Sequence, residues 1–234
     1  MDHPRLVKSV LLILAVVGLT SSFAGADSVS VISGTLNTSN YVNASGTITA
    51  GNGSVTIALS NNLTNSQVIS VGQNISGVYF QVSGSSGSPS LTSSSGVSTS
   101  IVNGTATPLG LVNPTGWTSG STGGYLYVCV ICPGGNPVAG PGLTLIGGTG
   151  SGAYANANGS INNNAPHNPF LFGPVTFNLS VAGVTSNSQF SNVILQFGTT
   201  ATPPVQMPEG ASLPMIVLST ATILSGIGHR FRRT

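Results

Sequence analysis

The side chains of this chain best suited to chemistry are few: Cys129 and Cys132, the one internal histidine, His167, and a small set of aromatics. General acid–base catalysis needs a titratable group poised near the working pH. Between Ser28 and Pro208 the chain has no Asp, Glu, Lys or Arg at all. Paired-carboxylate hydrolysis, a Ser-His-Asp relay and acidic calcium sites therefore lack their essential groups. A Cys-His-Asn set built from Cys129 or Cys132, His167 and an Asn remains formally open, but nothing in the sequence marks either thiol as activated. Zinc held by Cys129, Cys132 and His167 would have three ligands and no acidic second layer. No metal, cofactor or catalytic residue is expected, and the chain is not read as an enzyme.

Cys129-Val130-Ile131-Cys132 has the spacing of a redox pair. Such thiols gain acidity at the start of a helix, whereas these close the strand-like run YLYVCVIC. In a straight strand, residues three apart point to opposite faces with Cα atoms about 10 Å apart. A disulfide needs about 4.4–6.8 Å. An oxidising compartment favours the bond and a straight strand opposes it, so bonding requires a bend at Val130-Ile131. His167 lies in the proline-bracketed Asn164-Ala165-Pro166-His167-Asn168-Pro169 and is read as a turn-bracing residue or a ligand contact. Trp117, Tyr125, Tyr127 and Tyr154 could offer stacking faces to a sugar, with Asn amides as hydrogen-bonding partners.

Charge is confined to the ends. Asp2, Arg5 and Lys8 precede the domain, Asp27 and Glu209 border it, and Arg230, Arg232 and Arg233 follow it. The sequence pI near 8.7 thus describes the termini alone. Nucleic-acid binding requires cations that displace counterions from phosphates, and the domain has none. Sequons of the N-x-S/T type recur, at Asn37, Asn43, Asn52, Asn62, Asn74, Asn103, Asn158 and Asn178. Frequent Asn, Ser and Thr generate them by chance, although glycans would supply the solubility that an uncharged surface lacks.

These residues must be positioned by strands. Val55, Ile57 and Leu59 alternate with Ser54, Thr56 and Ala58, and Val175, Phe177, Leu179 and Val181 alternate with Thr176, Asn178 and Ser180. Period-2 alternation makes a strand with one buried face. Strands are expected at Ser28–Leu36, Ser45–Ala50, Ser54–Ser60, Ser66–Val71, Gly77–Ser83, Tyr125–Cys132, Leu143–Ile146, Val175–Val181 and Val193–Phe197. The fold class is all-β, an antiparallel β-sandwich or jelly-roll-like domain over residues 27–202. A parallel β-helix would show a fixed coil repeat, which is not found. Ser83–Ser100, SGSSGSPSLTSSSGVSTS, reads as a flexible loop. Thr199–Met207, with Pro203-Pro204, reads as a linker.

Residues 1–26 have the parts of a secretory signal peptide: basic Arg5 and Lys8, apolar Val10 to Leu19, and small residues ending at Ala24-Gly25-Ala26. Signal-peptidase cleavage after Ala26, following Sec-type export, would make Asp27 the mature N-terminus. At the other end, Leu213 to Gly228 is a mostly apolar stretch of about four helical turns. Arg230, Arg232 and Arg233 follow it and would remain on the cytoplasmic side. Residues 203–210 form the linker and sorting motif, and 211–234 the apolar, transmembrane-like helix with its Arg cluster.

Pro208-Glu209, the apolar helix and the terminal arginines resemble the PEP-CTERM sorting signal, with Gly210 standing where that family usually carries Pro. The resemblance implies recognition by an exosortase-like membrane protease in a Gram-negative bacterium, often one that makes exopolysaccharide. More loosely, Asn158 to Phe170, the VTFNLSVAGV strand and the LQFGTT strand resemble domains found in such proteins, and this implies no activity. The expected function is an exported, envelope-sorted structural or extracellular-matrix protein, membrane-anchored through its tail and associated with exopolysaccharide. The rival is a carbohydrate-binding module using Trp117 and Tyr side chains.

Overall fold

Alternating apolar positions become ladders in a computed structural model that describes residues 27–30, 34–36, 40–133, 142–162 and 166–199. The strands in chain order are β1 (Asp27–Ser30), β2 (Gly34–Leu36), β3 (Asn40–Val42), β4 (Ala44–Gly51), β5 (Ser54–Asn61), β6 (Ile75–Val82) and β7 (Ser90–Val102). They continue with β8 (Thr105–Val112), β9 (Thr118–Thr122), β10 (Tyr125–Cys129), β11 (Gly152–Ala153), β12 (Phe170–Ser180) and β13 (Phe190–Phe197). A 3-10 turn at Val71–Gln73 and a single helical turn, α1 (Gly159–Asn162), are the helical pieces among the described residues.

The all-β expectation holds. One sheet has seven strands in the order β1-β4-β5-β12-β7-β8-β11, and a second has four in the order β13-β6-β10-β9. Neighbouring named strands pair antiparallel throughout, and β2 and β3 form a separate hairpin. One apolar core draws on both large sheets. Ile57 of β5 and Phe177 of β12, which are cross-strand partners, meet Val78 and Phe80 of β6, Val128 of β10 and Leu195 of β13. Each such buried side chain contributes about 1.5–3 kcal/mol relative to exposure. A second core lies under the loops, where Leu63, Ile101, Ile146, Tyr154, Ile161 and Phe170 are buried together.

Several local expectations are corrected. Ser83–Ser100 is not a flexible loop: from Ser90 onward it belongs to β7, the longest strand described, paired on one side with β12 and on the other with β8. Its small residues fit because the facing space is filled. A side-chain carbon at Gly96 would lie 3.0 Å from Val175 and 3.4 Å from Leu171. Ser66–Val71 is a turn leading into the 3-10 segment rather than a strand, because Gln73 folds back to accept hydrogen bonds from the Ile69 and Ser70 amides. Leu143–Ile146 supplies only bridge contacts, from Leu145 to Ile75 and Leu171. Ser28–Leu36 divides into β1 and β2.

Candidate functional site

The reactive side chains come first. β10 ends at Cys129 and the chain bends at once: Val130 N–H donates to Ser76 O (2.9 Å) and Ile131 is buried. That bend brings the Cα atoms of Cys129 and Cys132 to 5.3 Å, and the two sulfurs are bonded. Neither residue then carries a thiolate for nucleophilic attack or for metal. Among the described residues, no group of three His, Cys, Asp or Glu side chains is placed to hold a metal ion.

Trp117 lies in the core rather than on an open face. It is 3 % exposed, its ring packs on Phe177 with centroids 4.8 Å apart, and its Nε1–H donates to Leu143 O at 2.9 Å. An indole in the core meets its one polar obligation with a backbone carbonyl, as burial demands. Tyr154 is likewise lost to solvent. It is fully buried in the second core, donates to Gly147 O (2.8 Å) and accepts from Gly150 N–H (3.3 Å). Burial raises its phenol pKa above the ordinary value. His167 is partly buried next to Asn168, whose amide reproduces a strand partner: Oδ1 accepts from Ile101 N–H (2.9 Å) and Nδ2 donates to Ile101 O (2.7 Å).

The remaining two tyrosines behave differently. Leu126 and Val128 of β10 point into the core, so Tyr125 and Tyr127 share the opposite, outer face of the four-stranded sheet, and both are partly exposed. Tyr127 pairs across the ladder with Tyr79 of β6 and Gly120 of β9. Its ring lies over Gly120, where any side chain would collide with it. The Tyr79 and Tyr127 rings meet at 5.6 Å, tilted by 43°. Tyr79 itself is 3 % exposed and donates its hydroxyl proton to Gln196 Oε1 at 2.8 Å. Burial, and next the neighbouring Tyr127 phenol, push the Tyr79 pKa up to about 12. Further along the same face, Asn192 Nδ2 donates to Gln81 Oε1 at 2.6 Å. The result is a face of tyrosine rings and carboxamides without a formal charge.

No family model, no curated protein and no solved structure matches this chain. The site therefore rests on its own geometry. Of the residues singled out in the sequence, Tyr125 and Tyr127 share a face and Cys129 joins Cys132 beside it, while Trp117 and Tyr154 are drawn into two different cores. Tyr79, Gln81, Asn192 and Gln196 were missed. Alternation in Ile75–Val82 against Tyr125–Cys129 could have found the first two, since Val78 and Phe80 facing inward sends Tyr79 and Gln81 outward. Ala24, Ala26, Pro208, Glu209, Gly210, Arg230, Arg232 and Arg233 lie outside the described residues, as do the signal-peptide and tail-helix expectations. Among the described residues, no helix is long and apolar enough to cross a membrane.

Proposed function

We propose that this chain is an exported, envelope-sorted structural protein of the cell surface or extracellular matrix, with a β-sandwich as its mature domain and no catalytic activity of its own. The observation that carries the reading is what the reactive side chains are used for. Cys129 and Cys132 are joined to each other, and Trp117 is sealed against Phe177. A structural disulfide suits an oxidising, extracytoplasmic setting. β1 opens at Asp27, so cleavage after Ala26 would spare every pair of the β1–β4 ladder. The PEP-CTERM-like tail supplies the sorting step, with an exosortase-like protease and signal peptidase as processing partners. Exopolysaccharide is the medium into which the domain is delivered.

Fractionation of a Gram-negative host expressing the full chain, with terminal sequencing and mass measurement, tests this reading. The expected product begins at Asp27 and resides in the envelope or matrix. Glu209→Gln should still insert but accumulate unprocessed, and Ser replacements of Arg230, Arg232 and Arg233 should release or misorient the tail. A cytoplasmic chain that still begins at Met1 would overturn the proposal.

A further inference from the structure

The outer face of the four-stranded sheet carries Tyr125 and Tyr127, both partly exposed on β10, and we propose that they form the stacking floor of a binding site for a neutral polysaccharide chain. Residues two apart on a strand lie about 6.8 Å from each other and leave it on the same face, so Tyr125 and Tyr127 are successive residues of one face of β10. A pyranose ring offers an apolar C–H face to an aromatic ring and a rim of hydroxyls to polar neighbours. Both complements are present. Tyr127 lies across Gly120 and against the buried Tyr79, whose hydroxyl is tied to Gln196. Beside Tyr125, Gln81 accepts from Asn192 through Oε1, which leaves its Nε2 end directed toward the side-chain-free Gly124.

The Tyr127 ring, held between Tyr79 and Gly120, loses little freedom on binding, which favours affinity from a small contact area. Charge selects the ligand. With no Lys or Arg between Ser28 and Pro208, the two tyrosines have no permanent cation beside them to pair with a uronate, sulfate or phosphate, and desolvating such a group without a partner is costly. A neutral glycan brings no such cost. This inference rests on the proposed function, because the domain must meet glycan outside the cell. Export is read separately by terminal sequencing, so a correctly exported chain that ignores neutral glycans would overturn the site and leave the sorting reading intact.

The test is affinity electrophoresis and calorimetry of the full chain in detergent micelles, with soluble neutral glucans as probes and alginate as the acidic comparison. Neutral glucan should retard the wild-type chain and alginate should not. Replacing both rings (Tyr125→Ala with Tyr127→Ala) should weaken binding at least about tenfold, while Tyr127→Phe, which keeps the ring, should bind within about twofold of wild type. A readout on the unmutated protein guards against misfolded variants. Glucan should slow nitration of Tyr125 and Tyr127 by tetranitromethane but not nitration of Tyr41, which is 39 % exposed elsewhere on the domain. Three results would each overturn the site: equal retardation by alginate, no retardation by any neutral glucan, or unchanged nitration at Tyr125 and Tyr127 with glucan bound.

Discussion

The two sheets turn unlike outer faces to their surroundings. Across the seven-stranded sheet, one row runs Thr49, Thr56, Asn178, Ser93 in register, and its contacts are hydroxyl to amide in water: Thr56 Oγ1 to Asn178 Oδ1 at 3.0 Å, Asn178 Nδ2 to Ser93 Oγ at 2.9 Å. The corresponding row of the four-stranded sheet runs Ile194, Tyr79, Tyr127, Gly120, with Ile194 and Tyr79 both buried although they face away from the core between the sheets. Both faces are uncharged. The difference lies in desolvation. A hydrogen bond that water can replace contributes little net stability, whereas a buried one that loses its partner exposes the full cost of an unsatisfied group. In a domain without ion pairs, burial decides which polar contacts matter.

The largest effect is expected at the disulfide beside the tyrosine face. Cys129→Ser with Cys132→Ser removes a cross-link closing a loop of four residues, which by loop-closure entropy corresponds to about 2 kcal/mol. Urea unfolding of the oxidised, reduced and mutant proteins measures it. Reduction and mutation should agree. If both leave the midpoint unchanged, the bend at Val130-Ile131 is held by its backbone bonds alone, and the contrast between the two faces weakens.

How much of this was legible in the sequence depends on the residue. β5 and β12 were visible because Val55, Ile57 and Leu59, and Val175, Phe177 and Leu179, alternate strictly, and all six are buried. β7 was hidden because Ser and Gly carry no apolar signal. Its pairing is written instead in its neighbours and in Asn103-Gly104, both at positive φ (49° and 73°), the turn that joins it to β8. β8 was hidden by Pro108 and Gly110. Trp117 could be recognised as the largest stacking candidate, but whether its ring faced solvent or Phe177 depends on packing between segments far apart in sequence. The cysteine bond was likewise undecided until the bend after Cys129 was known. What alternation encodes was readable, and what long-range contact decides was not.

A smaller effect is expected at Tyr79. Removing its hydroxyl with Tyr79→Phe breaks the buried bond to Gln196 and should cost about 1 kcal/mol, read as a lower Tm. The alkaline behaviour separates this from a packing change. The folded phenol has its pKa raised to about 12 from the ordinary 10.0, so between those values the unfolded chain releases a proton that the folded chain keeps. Stability from this group is therefore complete below pH 10 and is lost as pH rises toward 12. Tyr79→Phe should flatten that part of the stability curve. An unchanged alkaline limb would mean that Tyr79 is reached by water, and the two faces would then differ less than their burial suggests.

The smallest effect belongs to the other face. Asn178 lies two residues from the end of β12 and joins three strands through its amide, since Thr56 lies on β5 and Ser93 on β7. With hydrogen bonds to both Thr56 and Ser93, against the Tyr79 bond to Gln196, it would look the more important of the two. The physical expectation is the reverse. When Asn178→Ala removes the amide, the Thr56 and Ser93 hydroxyls recover water, so the net cost should stay within about 0.5 kcal/mol, the range of ordinary surface substitutions. The β12 ladder is a backbone feature, and Phe177 and Leu179 still anchor the strand from the buried side. Equilibrium unfolding of Asn178→Ala beside Tyr79→Phe tests the order directly. A larger loss for Asn178→Ala would mean that the hydroxyl–amide row acts as a cooperative network despite its exposure, and would move the stabilising polar contacts of this uncharged domain from the four-stranded sheet to the seven-stranded one.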